Sequence, residues 1–439
     1  MKWKSVLAGT LAVWNLVGCA PAEQDLSNRI EYSNEELAIG DVQSQSLLGG
    51  LTLTLVGTAG APTVGGSVLG ATMVVANGNY VYVSYNQPGP VRLGALETIN
   101  VSNSTRPVSV QLFSYTGYNV NAMFVDDDYL YLVGAQSDNI NPAAYLKVLK
   151  LVNNLPTTEV VTIYLPSYAA NAVFAKNGYI YVSSGDTGGL TVIKRSTLQI
   201  VASSKIYDSR AIASPVFNNE IMVLGAQTGR VQAYRTSAIT NTPGQNLNPS
   251  FTLPLGGATI PESKSTLQIG VTMGLASLGA QGFKLFCLLD GKTLSTQSVY
   301  PDLTVDTSKN VTNAATIDGG MIYSGNGEAG IQVYSALYAG VNLFTCDPVN
   351  VTRLGKITLG AGVSVNHVLA ANDMLYVAAG IGGFKIVKVN PPFLIGLLRD
   401  FNISILDYII APVINLFTGG NLFWSNPTSN RTFNGTTYW

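Results

Sequence analysis

A chain of 439 residues with 24 lysines and arginines against 25 aspartates and glutamates is close to electroneutral, which excludes the basic footprint of a nucleic-acid-binding surface. Charged residues make up only 11% of it, beside 45 glycines and 22 tyrosines. That balance excludes a mainly helical protein, whose wet faces need Glu, Lys and Arg, and favours many short strands joined by polar turns.

At the start of the chain, Lys2 and Lys4 precede an apolar run from Val6 to Trp14 that is too short to span a bilayer and reads as a secretory signal. The run ends in Leu16-Val17-Gly18-Cys19. These four residues resemble the lipobox of bacterial lipoproteins. The resemblance implies a signal peptide over residues 1–18 and acylation of Cys19 as the first mature residue. Acyl chains anchor by burying methylenes, at about 0.8 kcal/mol each. Ala20, standing where an aspartate would retain the protein, points in the Gram-negative sorting pattern to the outer membrane. An ordinary signal peptide ending in a chance cysteine is the alternative. From residue 20 to 48, six acidic residues face one cation, Arg29, with few apolar side chains to bury. Residues 19–48 are therefore expected to form the lipidated cysteine and a disordered tether.

A repeat fills residues 49–390. Asn171–Ser183 and Asn121–Val133 each read as a strand, a tight polar turn and a second strand rich in tyrosine and aliphatics. The pattern returns at residues 71–84, 313–324 and 366–378, and in weaker form near Met222 and Leu275. A glycine turn and a third strand follow, as at Gly188-Gly189-Leu190 and Gly382-Gly383-Phe384. The second-strand positions Tyr82, Tyr131, Tyr181, Met222, Leu275, Tyr323 and Tyr376 lie 41 to 53 residues apart. An all-strand period of this length predicts an all-β fold, a β-propeller of seven four-stranded blades. Fourth strands are expected at Val108–Leu112, Val160–Leu165, Phe251–Leu255 and Lys356–Leu359. The last copy lacks one, because Pro391-Pro392 follow Asn390. Leu51–Val56, ahead of the first copy, is expected to supply it and close the ring.

The Tyr-Val-Tyr-Val and Tyr-Ile-Tyr-Val strands, with Gly-Gly-Leu-Thr-Val-Ile and Gly-Gly-Phe-Lys-Ile-Val behind the turns, resemble the LVIVD-repeat surface propellers of bacteria. The resemblance covers roughly Leu51 to Asn390. It departs from the family where Lys194 and Lys388 lie near the place of an aspartate after the third strand. It implies a fold and no particular reaction.

Catalysis needs titratable groups brought together. The chain has one histidine, His367, and no nucleophile-elbow sequence. No Asp or Glu recurs at the start of the innermost strands, so neither a metal nor another cofactor is expected, and the protein is not expected to be an enzyme. The triplet Asp126-Asp127-Asp128 occupies a hairpin turn; a calcium site is the rarer alternative. Asparagine does recur: the first strands open with Asn121, Asn171, Asn313 and Asn366, with Thr72, Ile212 and Ser265 in the other copies. With His367 these amides form a candidate ligand-binding ring at the channel mouth, or else satisfy backbone groups where the chain enters each blade. Cys287 and Cys346 either pair or stand as separate buried thiols. Residues 391–439 form a C-terminal extension. Its apolar stretch from Phe393 to Phe417 is expected to be a helix packed on the ring, or else a membrane- or partner-binding element.

The expectation is a lipid-anchored binding or scaffold propeller of the cell envelope. Its partners would be the membrane, through the N-terminal lipid, and an envelope protein or glycan, with no nucleic acid. The rival is an envelope enzyme, a metal-dependent hydrolase or lyase with its site in the central channel.

Overall fold

The computed structural model describes residues 26–42 and 50–391 apart from 88, 90, 127, 138–141, 186–187, 216–218, 257–263, 271, 319, 337–345 and 347, together with the backbone of a short hairpin, Thr432–Phe433 with Thr436–Thr437. The expected signal peptide over residues 1–18, Cys19 and the apolar stretch 393–417 lie outside the described residues.

Seven sheets, each with four antiparallel strands and one with a short parallel strand, Gln245–Asn246, added at its outer edge, form the ring, so the chain is a seven-bladed β-propeller. The innermost strands of blades 1 to 7 are Gly70–Asn77, Tyr118–Val125, Ala170–Lys176, Ser209–Ala213, Leu267–Ile269, Ala314–Asp318 and His367–Ala371. Each is followed by the hairpin partner the repeat predicts. Asn177 and Gly178 both have positive φ, at 52° and 79°, the turn geometry that matches the twist of a tight hairpin. All seven second-strand ruler positions are buried, from Tyr82 at 0% exposure to Tyr376 at 5%.

The core is a ring of interfaces between neighbouring sheets. Within one strand, Tyr82 packs toward blade 2 against Val120 and Leu132, while Val81 and Val83 face blade 7 against Ile386 and Phe384. Blades 4 and 5 meet through Leu224, Ile269 and Phe286, and blades 5 and 6 through Leu285, Ile322 and Tyr334. Sheets sandwiched on both faces need strands that are apolar at consecutive positions, as Tyr179–Val182 is.

The ring closes as its sequence implies. Thr52–Ala59 pairs antiparallel with Phe384–Asn390, from Thr52 opposite Asn390 to Ala59 opposite Phe384, and becomes the fourth strand of blade 7. Gly383, which opens the third strand of that blade, has φ +74°, and a Cβ there would lie 2.2 Å from the Ala59 carbonyl oxygen. The closing strand can seat only against a residue without a side chain.

The tether expectation needs correction. Ile30–Glu36 is a fifth strand on blade 7, paired antiparallel with Thr52–Ala59 from Ile30 opposite Ala59 to Glu36 opposite Thr54. Its acidic residues misled the sequence reading because an edge strand is held by main-chain hydrogen bonds. Such a strand needs few apolar side chains, and its charges guard the open edge. Arg29, counted as a lone tether cation, donates to the buried Glu97 of blade 1 at 3.0 Å. Tyr85 and Ser109 donate to the same carboxylate at 2.6 and 2.7 Å, so three donors compensate its burial. The N-terminal segment is thereby fastened across the seam between blades 7 and 1.

Cys287, the last residue of a blade 5 strand (Phe283–Cys287), is joined to Cys346 as a disulfide with Cα atoms 5.6 Å apart. It ties blade 5 to the chain leading into the outer strand of blade 6, Thr352–Ile357. Bonds of this kind persist in oxidising compartments.

Three measurements test these features. Gly383→Ala should lower the thermal midpoint more than Gly78→Ala. Both glycines have positive φ, but a Cβ at Gly78 meets nothing within 4 Å, leaving only a backbone cost of about 1–2 kcal/mol. Equal shifts would show that contact with Ala59 is unimportant. Intact mass should rise by about 2 Da on reduction of the unfolded chain, and Cys346→Ser should destabilise the fold by up to about 4 kcal/mol, the loop-closure value for cysteines 59 residues apart. Calorimetry of the oxidised and variant proteins reads that difference.

Candidate functional site: the central channel

The innermost strands converge on a channel that widens into a cavity of about 570 Å³. Its walls are partly apolar, through Met73, Met123, Val173, Ile212 and Leu267, and its polar groups include Asn121, Asn171, Arg210, Lys264 and His367. Of the five residues the sequence singled out, the structure brings Asn121, Asn171 and His367 to this cavity. Asn313 and Asn366 are not among its described lining.

The recurring amides share one structural task. Asn121 Nδ2 donates to the Ala170 carbonyl of the next blade at 3.0 Å, and Asn171 Nδ2 donates to Ser209 at 3.0 Å. Asn313 Nδ2 donates to Val365 at 3.1 Å, and Asn366 Nδ2 donates to Ala71 at 2.8 Å, bridging blade 7 to blade 1. Thr72 Oγ1 does the same from blade 1 to Val120 of blade 2, at 3.1 Å. Each short polar side chain thus satisfies a carbonyl at the start of the neighbouring blade, a group that would otherwise face the channel unpaired. The series is interrupted at Ile212 and Ser265, in blades 4 and 5. There Ser265 Oγ is buried with no hydrogen-bond partner.

At that interruption stands Lys264, which the sequence reading missed. It belongs to no repeating column and lies one residue before the ring position in the most degenerate copy. Only its adjacency to Ser265 marked it. From the start of blade 5 its Nζ reaches across the channel and donates to Thr72 O at 2.8 Å and Asn121 O at 3.0 Å, in blades 1 and 2. Burial lowers its pKa to about 8. His367, on blade 7, is pushed down to about 3, first by burial and then by the positive charge of Lys264. Its Nδ1 is buried without a hydrogen-bond partner. Asp208, the one carboxylate in the described lining, accepts from Arg210 Nε at 2.8 Å. The rim carries exposed aromatics, Tyr168 and Tyr207.

Away from the channel, among the described residues, the groups that resemble metal ligands have other partners. Asp126 Oδ1 caps its own turn by accepting from the backbone of Asp128 and Tyr129 at 3.0 and 2.8 Å. Arg195 pairs with Asp126 at 3.1 Å and with Asp128 at 3.7 Å, which supports the turn reading of the acidic triplet. Cys287, Asp290 and Cys346 lie together, but the two sulfurs are bonded to each other.

A ring of seven four-stranded blades with an open axial cavity places the chain among β-propellers. It is similar to the structure of U3-55K, at TM-score 0.53 and 12% identity over 75% of this chain and 98% of that one. It is likewise similar to the crystal structure of RRP9 WD40 repeats, at TM-score 0.52 and 12% identity over 76% of this chain and 98% of that one. At such identity the likeness establishes the fold alone. No protein-family model matches the chain, and no curated protein matches it in sequence.

The His367 environment sets a pH dependence. In the folded protein the imidazole stays neutral down to about 3, whereas an unfolded histidine takes up its proton near 6.5. The unfolded state therefore binds more protons between those values, and stability falls as pH drops from 6.5 toward 3. His367→Gln should flatten that decline in a series of thermal midpoints between pH 7 and 4. A variant profile parallel to the wild type would refute this assignment.

Proposed function

We propose that the protein is a lipid-anchored binding or scaffold module of the bacterial cell envelope, an LVIVD-type propeller held at the outer membrane through Cys19. It would use its channel mouth and surrounding loops to engage an envelope protein or glycan. The lipobox resemblance at Leu16–Cys19 supports the anchor, and the disulfide between Cys287 and Cys346 suits an oxidising compartment. One observation carries the binding reading. The axial cavity combines apolar walls, a few polar groups and exposed rim tyrosines on a rigid frame, the constitution of a ligand site. A metal-dependent hydrolase would want carboxylates converging there. The described lining offers Asp208, which Arg210 already holds.

Labelled palmitate fed to a Gram-negative host expressing the protein should mark the wild type in the membrane fraction. Cys19→Ala should be unlabelled and released. Absence of label on the wild type would overturn the anchor. For the binding surface, a photocrosslinking residue at Tyr207, 63% exposed on the mouth side, should give discrete adducts in the envelope. One at Leu289, 70% exposed in the turn between the third and fourth strands of blade 5 and so on the opposite side, should not. Equal adducts from both positions would overturn the channel-mouth assignment.

A further inference from the structure

Resting on the reading of the channel as a ligand site, we infer that its ligand is a small amphiphile with a monoanionic carboxylate head, bound by the Lys264 ammonium, and an apolar body against the methionine and aliphatic walls. An ammonium has three N–H donors, and Lys264 directs them to two neutral carbonyl oxygens, Thr72 and Asn121, with no ion pair to any described carboxylate. Asp208 and Arg210 pair with each other, and His367 stays neutral. The described lining is therefore left with one positive charge, on the half-buried Lys264, that none of its carboxylates compensates. Such a charge is costly to bury, and the downward shifts of both Lys264 and His367 register that cost.

A carboxylate entering the cavity would neutralise the charge and accept a charge-assisted hydrogen bond. One uncompensated cation matches one negative charge, which disfavours a phosphate dianion. The volume of about 570 Å³ lies within the range of small-molecule sites and leaves room beyond the head group. Met73, Met123, Val173, Ile212 and Leu267 supply apolar surface for the remainder, with the thioethers able to adapt to its shape.

Benzoate, benzyl alcohol and benzylammonium share a body and differ in head-group charge. Titrated calorimetrically into the full-length protein at pH 7, benzoate should bind saturably at one site, benzyl alcohol at least tenfold more weakly, and benzylammonium not measurably. Lys264→Met should bring benzoate down to the level of benzyl alcohol. Because Lys264 also ties blades 1 and 2, the wild type supplies a second test that does not depend on the variant's folding. Its affinity for benzoate should fall as pH rises from 7 through 8 to 9.5 while that for benzyl alcohol holds. Among the described lining, the other titratable or charged groups are His367, neutral throughout that range, the Asp208–Arg210 pair, and the rim tyrosines Tyr168 and Tyr207. Comparable binding of benzoate and benzyl alcohol, or benzoate affinity independent of pH, would overturn the anionic assignment while leaving the channel a ligand site. No saturable benzoate binding would also overturn it, and the Tyr207 adducts then decide separately whether the mouth is a binding surface.

Discussion

The pairing of Thr52–Ala59 with Phe384–Asn390 is the constraint on which the rest of this molecule depends. Every blade buries its faces only against its neighbours, so the cores form a circle with no centre of their own. An open circle would leave Phe384 and Ile386 on one side and Val81 and Val83 on the other exposed to water. Closure by residues from opposite ends of the domain makes blade 7 a joint product of both. The demand for a bare backbone at Gly383 follows from it, as does the need to fasten the segment that precedes the closing strand. The Arg29–Glu97 pair and the added edge strand meet that need.

The same circular logic governs the channel. Hydrogen bonds from Thr72, Asn121, Asn171, Asn313 and Asn366 pass from each blade to the next, always to a carbonyl at the start of the neighbour. The interruption at blades 4 and 5 breaks the symmetry, and Lys264 fills it with a bond across the ring rather than along it. A side chain that spans a symmetric hole also gives it chemical polarity.

Much of the architecture was legible because the signal repeats. Tyrosines 82, 131 and 181 mark buried second strands at nearly even spacing, and the unpaired third strand before Pro391 implied a donor from the N-terminus. The outer strands Gln199–Ser204 and Thr293–Gln297 escaped notice because they lie at the rim, where partial exposure removes the apolar pattern. Ile30–Glu36 escaped because its hold is in the main chain. The recurring asparagines were found, but sequence spacing could not say whether their amides face a ligand or the next blade. Lys264 was invisible to a search for columns, since it occurs once.

The docking of Leu26 has a mechanical consequence. Leu26 already packs against the seam between blades 7 and 1, leaving seven residues back to Cys19. Even at full extension such a length spans only about 25 Å. With a lipid on Cys19, the seam between blades 7 and 1 would therefore lie within about 25 Å of the bilayer surface. Its encounters would be limited to molecules in that thin layer, and the place where the ring is closed would be the part of the domain nearest the anchor.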